Sequence, residues 1–501
     1  GFTVLISLAA IWCWRMAASK DRSALLVALV LIACFVEPYI LLQRWWFHFA
    51  KPSSYFTQVS APSQFLQKYA PEENRIYTSV TPGYSFDLPR TEPHNITARR
   101  GFHNAAGYEP LMLARYDKAF GNGGGFSTPN FNAPPDRQIL NPSWQVLDLL
   151  NVRFMVEFSA GPSKFVDKRG IDASATDAGI EVKPGAKAVL NGTPEQIDSL
   201  TVVSLLTNSG DLSDSQTIAW FNIHATDGRI ITRDLQAGRD TAEWAHERAD
   251  VKPTIRHRLA EVFDERPGDD RNSFPAYRYW TRFGLGEKLK VDRIEIVNVS
   301  GNASLLISKV TAHDSAGSNS FLLTPALPEH WRKVYDQDSV QIYENPRRLP
   351  RAWLVPNARV VSEEEALRLI RGEGDQPFDP RQIALIEREP SFDQAMPDGK
   401  FDQGEANIVN NEPNRLAVET GADASTALVV SEINYPGWEA TIDGEPTTIF
   451  KTNYLLRGVI VPAGSHRVEM RYTAPAARIG GVVSILTLLL LAGLAVKARR
   501  R

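Results

Sequence analysis

The stretch "PGWEATIDGEPTTIFKTNYLLRGVIVPAGSHRVEMRYTAP", Pro436 to Pro475, decides how this chain is read. Two short runs meet at Asp443-Gly444, a pair suited to two-residue hairpin turns because both positions tolerate positive φ. Two longer apolar-rich runs meet at the turn from Pro462 to Ser465. Repeated short strands with turn residues between them predict a small antiparallel sandwich. Its last strand ends at Tyr472, only a few residues before Ile479, where the most apolar segment of the chain begins (IGGVVSILTLLLLAGLAV, Ile479 to Val496). A strand-rich unit beside such a run suggests a membrane-anchored, mainly β protein.

The chain has 501 residues and a formal net charge of -3. That length suggests about three domains, and so balanced a charge gives no reason to expect a nucleic-acid partner. The mean hydropathy of -0.24 is ordinary for a soluble protein, but it conceals three apolar segments at the two ends. Gly1 to Trp14 is too short for a span of about 20 residues and reads as the truncated end of a membrane helix. Ala24 to Leu42 is a second candidate span, with a buried core helix as the alternative, and Ile479 to Val496 is the third. Arg15, Lys20 and Arg22 separate the first two, and Lys497, Arg499, Arg500 and Arg501 close the chain. Basic residues concentrate on the cytoplasmic side, so the segment from about Arg44 to Arg478 is expected outside. Trp45, Trp46, Phe47 and Phe49 would form an aromatic belt at the outer interface. Cys13 and Cys34 both fall inside the proposed spans.

Transmembrane helices are therefore expected at both ends, flanking an extracytoplasmic segment with a mixed α/β region and two β-sandwich, jelly-roll-like domains. Residues 1–43 hold the first helices, 44–196 the mixed region and 197–318 a carbohydrate-binding-like sandwich. Residues 319–403 are mixed again, 404–475 form a membrane-proximal sandwich, and 476–501 hold the last helix and a basic tail. Within the first sandwich, "TIAWFNIHATDGRIITRDL" turns at Asp227-Gly228 and "KLKVDRIEIVNVSGNASLLISKVTAHD" at Gly301-Asn302. Ser362 with Glu365 forms a capping box, and Gly372 ends that helix.

Catalytic signatures are absent: no Walker loop, no Gly-x-Ser-x-Gly elbow, no His-Glu-x-x-His. The nine His are scattered, so neither a metal nor another cofactor is expected. Asp336-Gln337-Asp338 matches an Asp-x-Asp metal pattern, with a solvated turn as the plain alternative. "HNAAGYEPLMLARY", His103 to Tyr116, is the best local candidate for a ligand site. Tyr108 and Tyr116 would supply stacking faces, and Arg115 would meet a phosphate with paired donors. Asn104 and Glu109 would hydrogen-bond hydroxyls. The alternative is a loop docked on the sheet, with Tyr108 covering apolar surface. Trp438 likewise has two readings, core packing or a sugar-stacking platform.

Four stretches, "GYEPLMLARY", "LDLLNVRFMV", "LPRAWLVP" and the opening one, together resemble bacterial YfhO-type membrane proteins. Those proteins are similar to C-type glycosyltransferases, integral membrane enzymes that use lipid-phosphate-linked sugars. The resemblance implies a polyprenyl-phosphate-type lipid-linked sugar and a glycan acceptor as partners, with membrane lipid around the spans. It also implies a catalytic carboxylate in a many-helix membrane half, which no residue of this sequence matches. The outer domains would then guide glycan or donor in cell-envelope glycosylation. The competing reading is a non-enzymatic, membrane-anchored carbohydrate-binding or envelope-structural protein.

Overall fold

A computed structural model describes residues 59–499 except for internal segments that include 80–96, 106–112, 122–139, 172–178 and 388–396. The architecture below belongs to the unit from Ser60 onward. The two spans read in residues 1–43 and the aromatic belt at Trp45 to Phe49 lie outside the described residues.

Among the described residues four sheets carry the fold. The first has five strands in the order Arg332–Gln337, Val340–Glu344, Val152–Phe158, Arg75–Thr78, His103–Asn104. Alternation along its strands sends Ile76, Phe154, Val156, Val340 and Ile342 to one face, where Leu66 of the Ala61–Tyr69 helix covers them. Tyr77, Met155 and Tyr343 point the other way, into a larger core. A period-2 backbone divides its side chains between two faces in this manner.

The third and fourth sheets form a layered pair. The six-stranded one runs Ala352–Val355, Thr426–Ile433, Leu456–Val461, Phe450–Thr452, Ile383–Glu387, Asn357–Val361. Its last two strands are parallel, so they need a crossover, and the Glu363–Ile370 helix supplies it. The Ser362 side chain accepts a hydrogen bond from the Glu365 amide at 3.2 Å, capping that helix. Trp353, Val355, Ala427 and Val429 face the large core shared with the first sheet. Leu354, Leu428, Val430, Val459 and Val461 face the opposite side. There they meet Val418, Val468 and Met470 of the five-stranded sheet, ordered Gly404–Glu412, Arg415–Ala422, Gly464–Tyr472, Trp438–Ile442, Glu445–Thr447. Burial on both faces explains why "ALVV" and "VIV" read as continuous apolar runs instead of alternating ones.

Between Val152–Phe158 and Val340–Glu344, which pair antiparallel, lies a nine-stranded unit. Its organiser is the strand Asn272–Asn298. The Tyr279–Gly284 part pairs with Gln196–Thr207, whereas Val291–Asn298 pairs with Thr217–Ala225. The change of partner follows a register shift between Gly284 and Leu289, where Gly286 has φ 88°, with Leu289 and Lys290 still paired to Gln196–Thr207. A residue without Cβ adopts that conformation freely, and an irregularity of this kind lets one strand pass between two layers. Val202, Leu206, Phe221, Phe283, Ile294 and Ile296 fill the space between the layers. The chain enters and leaves close together, since the Ser163 amide donates to the Ser320 carbonyl at 2.6 Å.

One expectation is corrected. Transmembrane helices at both ends are not found: among the described residues, no helix is long and apolar enough to cross a membrane. The C-terminal helix is Pro475–Arg499. Its apolar side chains, among them Ile479, Ile485 and Leu488, are exposed.

The Asp443-Gly444 turn is a left-handed pair, with φ 52° and 92°. Asp443 also reaches the neighbouring strand, accepting from the Arg467 amide at 2.8 Å and meeting His466 Nδ1 at 2.7 Å. The hydrogen bond to Asp443 raises the His466 pKa above its ordinary 6.5. A raised value means the contact stabilises the folded state below pH 6.5 and loses that contribution as pH rises through the folded midpoint. In a proton NMR titration, the His466 midpoint is expected above 6.5 and should move back toward it in Asp443→Asn. A wild-type midpoint at or below 6.5 would contradict the contact.

Candidate functional site

Of the residues chosen from sequence, Tyr108 and Glu109 lie outside the described residues. Arg115 sits on the short helix Ala114–Ala119, and every one of its guanidinium nitrogens is engaged. Nη1 donates to Glu363 at 2.8 Å and to Glu387 at 3.0 Å, while Nε and Nη2 donate to the Tyr454 carbonyl at 3.0 and 2.8 Å. The guanidinium also lies 4.1 Å from the centre of the Tyr454 ring. These contacts clamp the helix to the six-stranded sheet. Tyr116 donates its hydroxyl to the Ala105 carbonyl and packs 4.7 Å from Phe120, and burial raises its pKa well above the usual phenol range. Asn104 donates from Nδ2 to Thr78 Oγ1 at 2.9 Å on the edge of the first sheet. Trp438 is half-buried, with the Arg457 guanidinium 3.6 Å from its ring centre and Tyr472 at 5.7 Å.

The structure joins these residues through charges that the sequence reading passed over. Glu432, next to last in the strand Thr426–Ile433, accepts from Arg75 Nη2 at 2.8 Å and from Arg351 Nη2. Arg75 also donates to the Leu150 carbonyl and to Ser431, each at 3.0 Å. Burial alone would raise the Glu432 pKa, but Arg75, Arg351 and Arg457 outweigh it and hold the carboxyl below its ordinary value. Burial pushes the Arg457 guanidinium down to about 10, with Glu432 opposing and Arg75 adding to the fall. Two guanidiniums thus bind one carboxylate, and a third acts on it through space. Each of these charged residues stands in or beside an apolar strand run, and that was the available signal, because a charge in a buried strand requires a partner.

Arg351 also lines a cleft of about 690 Å³. Its walls come from the first sheet (Asn74 before an inner strand, His103 on the edge strand), the 348–352 segment (Arg348, Arg351) and the edge strand Gly404–Glu412 (Asn407, Asn410, Asn411). Arg348 donates from Nε to Asn74 Oδ1 at 3.0 Å. Asn151 closes the cleft with its Nδ2 on the Leu349 carbonyl at 2.6 Å. Buried polar atoms without a hydrogen-bond partner include Asn151 Oδ1, Asn410 Oδ1, and Nε and Nη1 of Arg351. Uncompensated atoms of this kind cost free energy, and a polar ligand would satisfy them. "IVNNEPN" carried the only sequence hint, a crowding of amides. Among the described residues no group of three or more His, Cys, Asp or Glu is placed to hold a metal.

Comparison with known proteins bears on the C-terminal part of this assembly. Residues 387–484 match the family model of the bacterial membrane protein YfhO. The matched YfhO region contains Glu432, Trp438, Arg457 and the asparagine strand. No curated protein matches the chain. Among solved structures, arabinofuranosyltransferase AftD from Mycobacteria is 13% identical over 69% of this chain and 26% of its own, with TM-score 0.16. A mutant of AftD is 11% identical over 72% and 31%, with TM-score 0.19. An oxalate decarboxylase is 14% identical over 59% and 64%, with TM-score 0.12. The chain spans about a quarter of the AftD chain.

Two measurements test the charge cluster and its aromatic neighbour. Because the folded Glu432 pKa is lowered, its contribution is present above the unfolded value near 4.5 and is lost as pH falls through the folded one. Glu432→Gln should lower the urea midpoint at neutral pH and flatten its decline between about pH 5 and about pH 3; equal slopes would remove Glu432 from the acid response. Trp438→Ala removes a half-buried ring and the stacking face of Arg457, at a cost of about 2–3 kcal/mol. Trp438→Phe should recover most of that loss. Unchanged stability in the alanine variant would favour a ligand-facing ring.

Proposed function

We propose that residues 60–475 form the outer, glycan-contacting part of a bacterial membrane protein that acts in glycosylation, with the asparagine-lined cleft as the place where sugar is received. The cleft carries the reading. Amide side chains converge there from Asn74 and Asn151, just before inner strands of the first sheet, and from the edge strand Gly404–Glu412, and hydroxyl-rich ligands are held by such donor and acceptor sets. The YfhO match supports a membrane setting, and the resemblance to C-type glycosyltransferases supports a lipid-linked sugar donor and a glycan acceptor as partners. In this reading the unit lies on the extracytoplasmic side, where such donors are used. Arg115 positions a helix against the sheet, and Trp438 supports the charge cluster beside the cleft.

Asn407 and Asn411 are exposed on the edge strand, so replacing them should leave stability within about 0.5 kcal/mol. On a glycan array, the full chain in detergent should retain a defined set of glycans. The Asn407→Ala/Asn411→Ala double variant should lose about fivefold to tenfold in affinity, the scale of one or two hydrogen bonds. Failure of the wild-type chain to retain any glycan, or full retention by the double variant at unchanged melting temperature, would overturn the assignment.

A further inference from the structure

The orphaned atoms of the cleft-lining residues fall into two chemical kinds. Nε and Nη1 of Arg351 are donors on a cation, whereas Oδ1 of Asn151 and Oδ1 of Asn410 are acceptors on neutral amides. Arg351 and Asn151 are 9% and 3% exposed, so bulk water cannot solvate these groups freely. The other groups around them are already committed. Arg351 Nη2 is on Glu432, Asn151 Nδ2 on the Leu349 carbonyl, and Asn410 Nδ2 on Glu412 at 3.0 Å. A ligand that completes the cleft therefore presents acceptor oxygen to the guanidinium and donor hydroxyls to the amides.

Charge decides what kind of oxygen. Arg75, Arg351 and Arg457 act on the single Glu432 carboxylate, leaving the cluster two positive charges in excess. Arg348 adds another guanidinium to the cleft wall, and burial lowers its pKa, with Arg153 adding to the effect and Glu344 opposing it. A partly desolvated cation gains far more from an anionic oxygen than from a neutral one, and guanidinium matches carboxylate or phosphate in a two-pronged geometry. Neutral hydroxyls would satisfy the hydrogen bonds but leave the charge excess in place.

We propose that the cleft selects an anionic sugar, a unit carrying a carboxylate or a phosphate. The anion sits on Arg351 with Arg348 beside it, and the hydroxyls donate to Asn151 and Asn410. This rests on the reading of the cleft as the glycan-receiving site and adds the charge of the unit it takes.

The test is calorimetric titration of the full chain in detergent with glucuronate, glucose 1-phosphate, glucose and inorganic phosphate. At least one anionic sugar should bind about tenfold or more tightly than glucose, the scale of one charge-assisted hydrogen bond. The tighter of the two names the source of the anion. That preference should shrink as salt is raised. It should also fall in Arg348→Gln, while Asn410→Ala should weaken the anionic sugar and glucose alike, both with unchanged melting temperature. Equal binding of glucose and both anionic sugars would overturn the charge preference and leave the glycan reading standing. Inorganic phosphate binding as tightly as glucose 1-phosphate, with glucuronate no tighter than glucose, would reduce the site to a bare anion site and overturn the proposal. No binding of any probe would overturn both readings.

Discussion

Two of the four described sheets are tied directly at one carboxylate. Glu432 belongs to the six-stranded sheet, Arg75 to the first sheet, and Arg351 to the segment that leads into strand Ala352–Val355 of that same six-stranded sheet. Arg457 brings in the fourth sheet through the ring of Trp438. A buried charge with one partner removed costs more than the pair contributes, so no one of these layers is free to shift alone. The cluster defines which layers meet, in what order and at what spacing. The apolar cores on either side supply most of the stabilisation, yet packed valines and leucines tolerate sliding better than a guanidinium held between a carboxylate, a carbonyl and a hydroxyl.

The six-stranded sheet makes that arrangement necessary. With apolar side chains on both faces, it requires a covering layer on each, and both layers bring strands with open edges. Exposed sheet edges display unpaired backbone groups and are usually blunted by polar or charged residues. Here the edge strand Gly404–Glu412 carries asparagines and stands across from the edge strand His103–Asn104. The cleft is the gap between two edges held apart by the layer between them. Its polar lining and its position therefore have one origin.

Local features were legible where the physics is local. Asp227-Gly228 and Asp443-Gly444 form the hairpin turns read from the sequence, and Ser362 caps its helix, because a few adjacent residues determine each outcome. Pairing between distant segments was not legible. Nothing in "DSVQIYEN" shows that it lies beside "NVRFMV", since strand partners are chosen by tertiary packing. The surroundings of the candidate site residues were hidden in the same way. Arg115 looked like a free phosphate donor because Glu363, Glu387 and Tyr454 are far away in sequence. Arg351 and Glu432 went unnoticed for the same reason, and the apolar run after Ile479 was read from hydropathy alone.

The nine-stranded unit also affects the order of assembly. Val152–Phe158 and Val340–Glu344 are neighbours in one sheet, yet the whole unit separates them along the chain. Closing so long a loop before anything inside it has folded carries a large entropic penalty. Once the unit has formed, the contact between Ser163 and Ser320 shortens the effective loop to roughly 25 residues. By the logarithmic dependence on length, that lowers the closure cost by about 1.5–2 kcal/mol. The first sheet is thus completed most readily around an inserted unit that is already folded, which makes the inserted unit the natural first product of folding and its neighbour's last strand pair a late one.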